Sequence, residues 1–168
     1  GSSGGVCRDI DLKYVPDGAV TESPFSLSEQ VNGLTFERVK VSAGADFDAG
    51  ACLASVSGLD HQFRDCEFVS NSPHASQAQV VLVPSNENFT GYAPQNIAFD
   101  RVKVSSTSSA VDRLIQLGTG LTGPPTDISI LGPTFTGAIN GSTKHAIYNH
   151  SGNRIYIERP RIVDDFII

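Results

Sequence analysis

The feature that most constrains this chain is a short phrase that recurs along its whole length. Phe36-Glu-Arg-Val-Lys-Val41 returns as Phe63-Arg-Asp-Cys-Glu-Phe68 and as Phe99-Asp-Arg-Val-Lys-Val104. Looser copies are Cys7-Arg-Asp-Ile-Asp-Leu12, Ile130-Leu-Gly-Pro-Thr-Phe135 and Ile157-Glu-Arg-Pro-Arg-Ile162. Each reads apolar, two polar, small apolar, one polar, apolar. The copies start at residues 7, 36, 63, 99, 130 and 157, so they are separated by 27 to 36 residues. Uneven spacing in this range suits a solenoid of short strands joined by loops of variable length, and does not suit a helical repeat of fixed length.

Each copy after the first is preceded by a second apolar segment. These are Phe25-Ser-Leu27, Ala51-Cys-Leu-Ala54, Val80-Val-Leu-Val83, Leu114-Ile-Gln-Leu117 and Ala146-Ile-Tyr148. Turns rich in Gly, Asn and Asp lie between the two: Val31-Asn-Gly33, Gln95-Asn96, Thr126-Asp127 and Gly152-Asn153. Such residues tolerate the left-handed backbone of a sharp corner. No segment sustains a capped 3.6-residue apolar period. The expected fold is all-β: a right-handed parallel β-helix of about six coils with three short strands each. Residues 1–5 are expected to be a flexible N-terminal segment and 6–168 a single β-helix domain.

Charge provides an internal test of this register. Strands on successive coils lie about 4.8 Å apart, and like charges placed opposite one another are destabilising. With the coils aligned on their apolar positions, the second column reads Arg8, Glu37, Arg64, Asp100. The third reads Asp9, Arg38, Asp65, Arg101, and the fifth Asp11, Lys40, Glu67, Lys103. Every neighbouring pair has opposite signs. The carboxylates that would otherwise suggest acid–base pairs thereby acquire a structural role. In the fifth coil Leu131, Gly132 and Thr134 interrupt the columns, and Glu158, Arg159 and Arg161 restore them. Leu131, Pro133 and Phe135 are expected to offer a surface to another chain or a long loop.

The inward columns are Phe36, Phe63, Phe99, Ile130, Ile157 and Val39, Cys66, Val102, Pro133, Pro160. Cys66 is thus expected to be a small core hydrophobe. His61 falls where Leu34 and Ile97 stand in neighbouring coils, which predicts a semi-buried structural histidine. Proline donates nothing to a sheet ladder, so pairing is expected to loosen toward the C-terminal coils. Cys7, Cys52 and Cys66 fit no metal motif and read as free thiols. The histidines His61, His74, His145 and His150 form no ligand pattern. Asp46 and Asp48 read as a solvated turn rather than a calcium site. No metal and no cofactor is expected. A formal net charge of −6 gives no electrostatic case for nucleic acid or an anionic membrane. No apolar run approaches the roughly 20 residues of a membrane-spanning helix.

The phrases Gly33-Leu-Thr-Phe-Glu-Arg-Val-Lys-Val41 and Asn96-Ile-Ala-Phe-Asp-Arg-Val-Lys-Val104 resemble the pectin-lyase-like right-handed β-helix superfamily, and closest in character are phage tailspike-type and virion or surface modules. The resemblance implies contact with long, often acidic glycans along the helix side. It implies an extracellular or virion location. The expected partners are a surface polysaccharide or another virion or surface protein, with self-association as a homo-oligomer such as a trimer. No motif of a particular enzyme family is present, so the catalytic residues are unknown. Solenoid function tends to sit on protruding loops. The longest insertion, Pro84 to Pro94, and the next, Gly118 to Pro125, should lie side by side as a wall. The candidate ligand-binding residues are Asn86, Glu87, Asn88, Phe89 and Tyr92: rings to stack on sugars, amides and a carboxylate to bond hydroxyls. The reading is a structural or receptor-binding module. The alternative is a polysaccharide lyase, glycoside hydrolase or epimerase, with Asp60, Glu87 and Asp127 as acids outside the ladder.

Overall fold

The fold is a parallel β-solenoid, seen in a computed structural model that describes residues 3–14, 23–27, 31–44, 52–72, 80–82, 93–107, 111, 113–118, 123–137 and 145–163. The first turn is β1 (Ser3–Arg8), β2 (Asp11–Tyr14) and β3 (Phe25–Leu27); the second is β4 (Asn32–Glu37), β5 (Lys40–Ala43) and β6 (Ala54–Val56). The third is β7 (Gln62–Arg64), β8 (Glu67–Ser70) and β9 (Val80–Leu82); the fourth is β10 (Gln95–Asp100), β11 (Lys103–Ser106) and β12 (Arg113–Leu117). The fifth is β13 (Thr126–Leu131), β14 (Thr134–Gly137) and β15 (His145–Asn149), and β16 (Asn153–Glu158) and β17 (Arg161–Ile162) close the stack. Every third strand pairs in parallel, giving two six-stranded sheets and one five-stranded sheet. Among the described residues the last turn has only two strands, so the stack falls short of six complete coils. No described residue is helical.

The register is the one the charges predicted. Arg8 pairs with Glu37, Glu37 with Arg64, and Asp100 with Arg64 and Leu131. Asp11, Lys40, Glu67, Lys103, Thr134 and Arg161 form the equivalent row in the second sheet. Inward of these rows, the rings of Phe36, Phe63 and Phe99 stack at centroid distances of 5.0 and 4.9 Å, nearly coplanar at 13° and 10°. Phe25 meets the stack edge-on. Cys66 is buried in its column, with its thiol donating to the Phe36 carbonyl at 3.4 Å.

Several expectations need correction. β1 begins at Ser3, so residues 3–5, read as part of a flexible segment spanning 1–5, belong to the first sheet, where Ser3 pairs with Asn32 and Gly5 with Leu34. The third-sheet strand of the second turn is Ala54–Val56, displaced from Ala51–Ala54 because Ala54, not Cys52, faces Phe25. Pro133 and Phe135 are buried core residues and not a contact surface; only Leu131 of that trio faces outward, in the row of Asp100 and Glu158. Pairing does not loosen at the prolines. In each turn the residue after the small apolar position donates to the turn before: Glu67 to Val39, Lys103 to Cys66, Thr134 to Val102 and Arg161 to Pro133. Val39, Cys66 and Val102 themselves appear only as acceptors. Proline at this position therefore removes no ladder bond.

Two corners per turn use the left-handed region. One column is Gly4, Gly33, Asp60, Asn96, Asp127 and Arg154; the other is Asp9, Arg38, Asp65, Arg101, Gly132 and Arg159. Gly33, Asn96 and Asp127 of the first column were legible as corner residues, whereas Gly4 and Asp60 were not. Arg154, Arg38, Arg101 and Arg159 were not, because arginine has no local reason to adopt φ near 50°, which costs about 1–2 kcal/mol each. The stacked hydrogen bonds of adjacent turns impose it, as in Arg38 N–H to Arg64 and Arg101 N–H to Leu131.

Candidate functional site

The ladder settles which side-chain carboxylates are committed to structure. Asp9 receives both Nε and Nη2 of Arg38 at 2.6 and 2.9 Å, and Asp65 receives Arg101 in the same two-pronged way at 2.7 and 2.9 Å. Glu37 holds Arg8 at 2.6 Å and Arg64 at 3.6 Å, one from each neighbouring turn. Lys103 donates to Glu67 at 2.6 Å. These hydrogen bonds keep the carboxyl groups of Asp9 and Asp65 below the usual carboxylate range, so neither is suited to donate a proton near neutral pH.

The corner between the third and first sheets behaves differently. Leu59, Asp60, Gln95, Asn96 and Asp127 line a cleft of about 360 Å³. The left-handed corner column builds it, stacking Asp60, Asn96 and Asp127 on successive turns with their side chains at one edge. The Asn96 amide donates to Asp60 Oδ1 at 2.7 Å. Arg154, one turn further on, donates to both oxygens of Asp127 at 2.6 Å. That guanidinium lowers the pKa of Asp127, with Gln95 adding to the effect. Asp127 was expected to stand outside any ion ladder; instead it is paired, and held ionised as the ladder aspartates are. Asp60 and Asp127 do face one cleft, whereas Glu87 lies outside the described residues.

The cleft lies where both long insertions re-enter the stack. Gln95 and Thr126 follow directly on the Pro84–Pro94 and Gly118–Pro125 segments. Their return ends touch: a Cβ on Gly123 would lie 2.9 Å from that of Ala93. The two insertions therefore converge side by side at their described ends. Asn86, Glu87, Asn88, Phe89 and Tyr92, the sequence-predicted ligand contacts, lie outside the described residues. Gln95 and Asn96 were legible only as corner residues, and Asp127 as a corner residue and an acid outside the ladder. The signal that would have marked them as a site is their position immediately after the long insertions.

A second cleft, about 400 Å³, is lined by Asp100, Arg101, Leu131, Gly132 and Arg159. It is the notch left where glycine replaces a charged corner residue. Tyr148, on the strand opposite Gln116, carries the Arg113 guanidinium 4.7 Å from its ring centre. Among the described residues no three His, Cys, Asp or Glu side chains are placed to hold a metal. His61 takes the expected inward place but is fully rather than semi-buried, its Nδ1 accepting from the Leu34 N–H at 3.2 Å. Among the described residues its Nε2 has no hydrogen-bond partner. Burial pushes the imidazole below its ordinary pKa, toward the neutral form. Burial likewise raises the Cys52 and Cys66 thiols, which suits structural rather than reactive cysteines.

No protein family, curated protein or solved structure matches the chain.

Proposed function

We propose that this chain is a rigid β-helical structural or receptor-binding module, of the tailspike, fibre or decoration kind, that works outside the cell or on a virion. It contacts a surface glycan or a partner subunit through the loop side of the stack. The observation that carries this reading is the cleft of Leu59, Asp60, Gln95, Asn96 and Asp127 beside the described return ends of the two insertions. Its carboxylates and amides are the groups that bond sugar hydroxyls, while Asp127, held ionised by Arg154, is a poor proton donor. The pectin-lyase-like resemblance supports the same side of the helix as the contact face, although fold alone does not carry function.

An enzyme acting on an acidic polysaccharide is the second reading, favoured by Asp60 and Asp127 sharing one cleft. Titration calorimetry with acidic and neutral polysaccharides, followed by assay of the same mixtures for new reducing ends and unsaturated uronates, separates the two. The module reading expects saturable binding, weakened by Asn96→Ala, with no bond cleavage. Turnover that Asp60→Asn abolishes would establish the enzyme instead.

A further inference from the structure

The large hydrophobic side chains that stand exposed among the described residues are Val6, Ile10, Leu12, Tyr156 and Val163, at 56, 37, 38, 56 and 53%. All of them belong to the first or the last turn. Ile10 and Leu12 begin core columns whose inner members, Val39 and Val41, are buried; they are exposed because, among the described residues, no strand stacks on the outer side of the first turn. Val6 and Tyr156 are the two ends of one outward column, with Thr35, Gln62, Ala98 and Ser129 between them. Between its ends this column carries only small or polar side chains, and its large apolar side chains stand at the two ends.

The charges at the two ends are complementary. The first turn presents Arg8, Asp9 and Asp11; the last presents Glu158, Arg159 and Arg161 in the same three columns. Set in register, the last turn against the first gives Glu158 to Arg8, Arg159 to Asp9 and Arg161 to Asp11, which is the alternation found inside the stack. Existing pairs need not break, since Glu37 already serves one cation from each side. The backbone obeys the same rule. Each left-handed ladder residue donates to the next turn, as Asp65 to Asp100 and Gly132 to Glu158, and each residue after the small apolar position donates to the previous turn. Continued across the junction, Arg159 N–H meets the Arg8 carbonyl and Asp11 N–H meets the Pro160 carbonyl.

We infer that the occupant of each end is a second copy of this chain, stacked head to tail so that the solenoid continues from one molecule into the next. Tyr156 then packs on Val6, and Leu12 and Ile10 cover Ile162 and Pro160. The contact is heterologous: each added copy presents a fresh end, so growth gives a linear rod and not a closed dimer. It uses the two sheets to which the last turn contributes strands. This deepens the partner-subunit half of the function proposed above and is independent of any glycan.

The test uses the whole chain at low ionic strength. Sedimentation velocity across a concentration series, with electron microscopy, should show rods that lengthen with concentration and shorten as salt screens the junction. Arg159→Glu with Arg161→Glu places like charges across the junction. It does so without opposing a charge in the turn below, where Gly132 and Thr134 stand. This double variant should raise the apparent dissociation constant about 30-fold or more while keeping the wild-type circular dichroism and melting temperature. Because its first turn is intact, it should also cap wild-type rods and shorten them in mixtures. Tyr156→Ser, which extends the Ser129 column, should weaken assembly with the fold unchanged.

A wild-type chain that stays monomeric at every concentration overturns the inference. So does a closed dimer or trimer, or assembly that the double variant leaves unaltered. Glycan binding by a monomer would leave the side-contact reading standing; rods that bind no glycan would do the reverse.

Discussion

Truncating Phe63 to alanine should cost this solenoid more than any change at its ends. Phe63 is almost fully buried, stacked between Phe36 and Phe99 with centroids 5.0 and 4.9 Å away, and met edge-on by Phe25 and Phe68 at 6.2 Å. Removing a buried Phe ring costs about 3–5 kcal/mol, including the cavity that rigid neighbours leave behind. Two stacked and two edge contacts, worth about 0.5–1.5 kcal/mol each beyond burial, place the change near the top of that range. For a domain of this size about 1 kcal/mol moves the melting temperature by roughly 2–4 °C, so a fall of about 8–20 °C is expected. Leu12 occupies the open end of a core column and is 38% exposed. Leu12→Ala should cost under about half as much, since its cavity opens to solvent. Phe63→Leu, which matches the aliphatic members Ile130 and Ile157 of the same column, should recover much of the loss. Thermal and urea unfolding followed by circular dichroism measure all three. A melting temperature for Phe63→Ala within about 2 °C of wild type, or equal losses for Phe63→Ala and Leu12→Ala, would refute a continuous column whose stability depends on neighbours above and below.

Three further outcomes follow from the same geometry. Because burial lowers the folded-state pKa of His61 below its ordinary 6.5, the unfolded chain binds the extra proton first. Stability should therefore fall as pH drops below about 6.5, until the folded pKa is reached. His61→Leu should remove that slope, and melting curves at pH 7.5 and 5.5 that shift equally in both proteins would contradict it. The Asp65–Arg101 pair is solvent-exposed, so Asp65→Asn should change urea stability by under about 1 kcal/mol. Asp65→Arg, which stacks a third guanidinium between Arg38 and Arg101, should be clearly worse, and added salt should narrow the gap; equal effects would remove the ladder's role in register. Pro133→Ala should bring no gain in stability, because its position donates no ladder bond; a higher melting temperature would show that a bond had been missing.

The register, the inward columns and the fate of most carboxylates were open to reading from the chain alone. Strand stacking at one fixed spacing converts neighbour rules into sequence columns, so Arg8–Glu37 and Lys103–Glu67 could be paired before any coordinates. Cys66 and His61 were placed by the same logic, since a column of fixed inward direction leaves one environment per position. The strand shift to Ala54–Val56 was not legible, because the run from Ala51 to Ala54 is apolar throughout and carries no alternation to fix its phase.

What needed the tertiary structure were the features that arise between turns without a local signature. Arginines at φ near 50° are held there by bonds to the adjacent turn, which no arginine advertises in sequence. The Asp127–Arg154 pair joins residues on successive turns whose corner the sequence placed on Gly152-Asn153. The cleft exists because the left-handed corners of successive turns stack Asp60, Asn96 and Asp127 at one edge. The end-to-end match of charge and apolar surface likewise depends on which described strands lie at the edges of the sheets. A sequence of this kind states what repeats along the axis; only the stack decides how neighbouring turns bond and what its corners enclose.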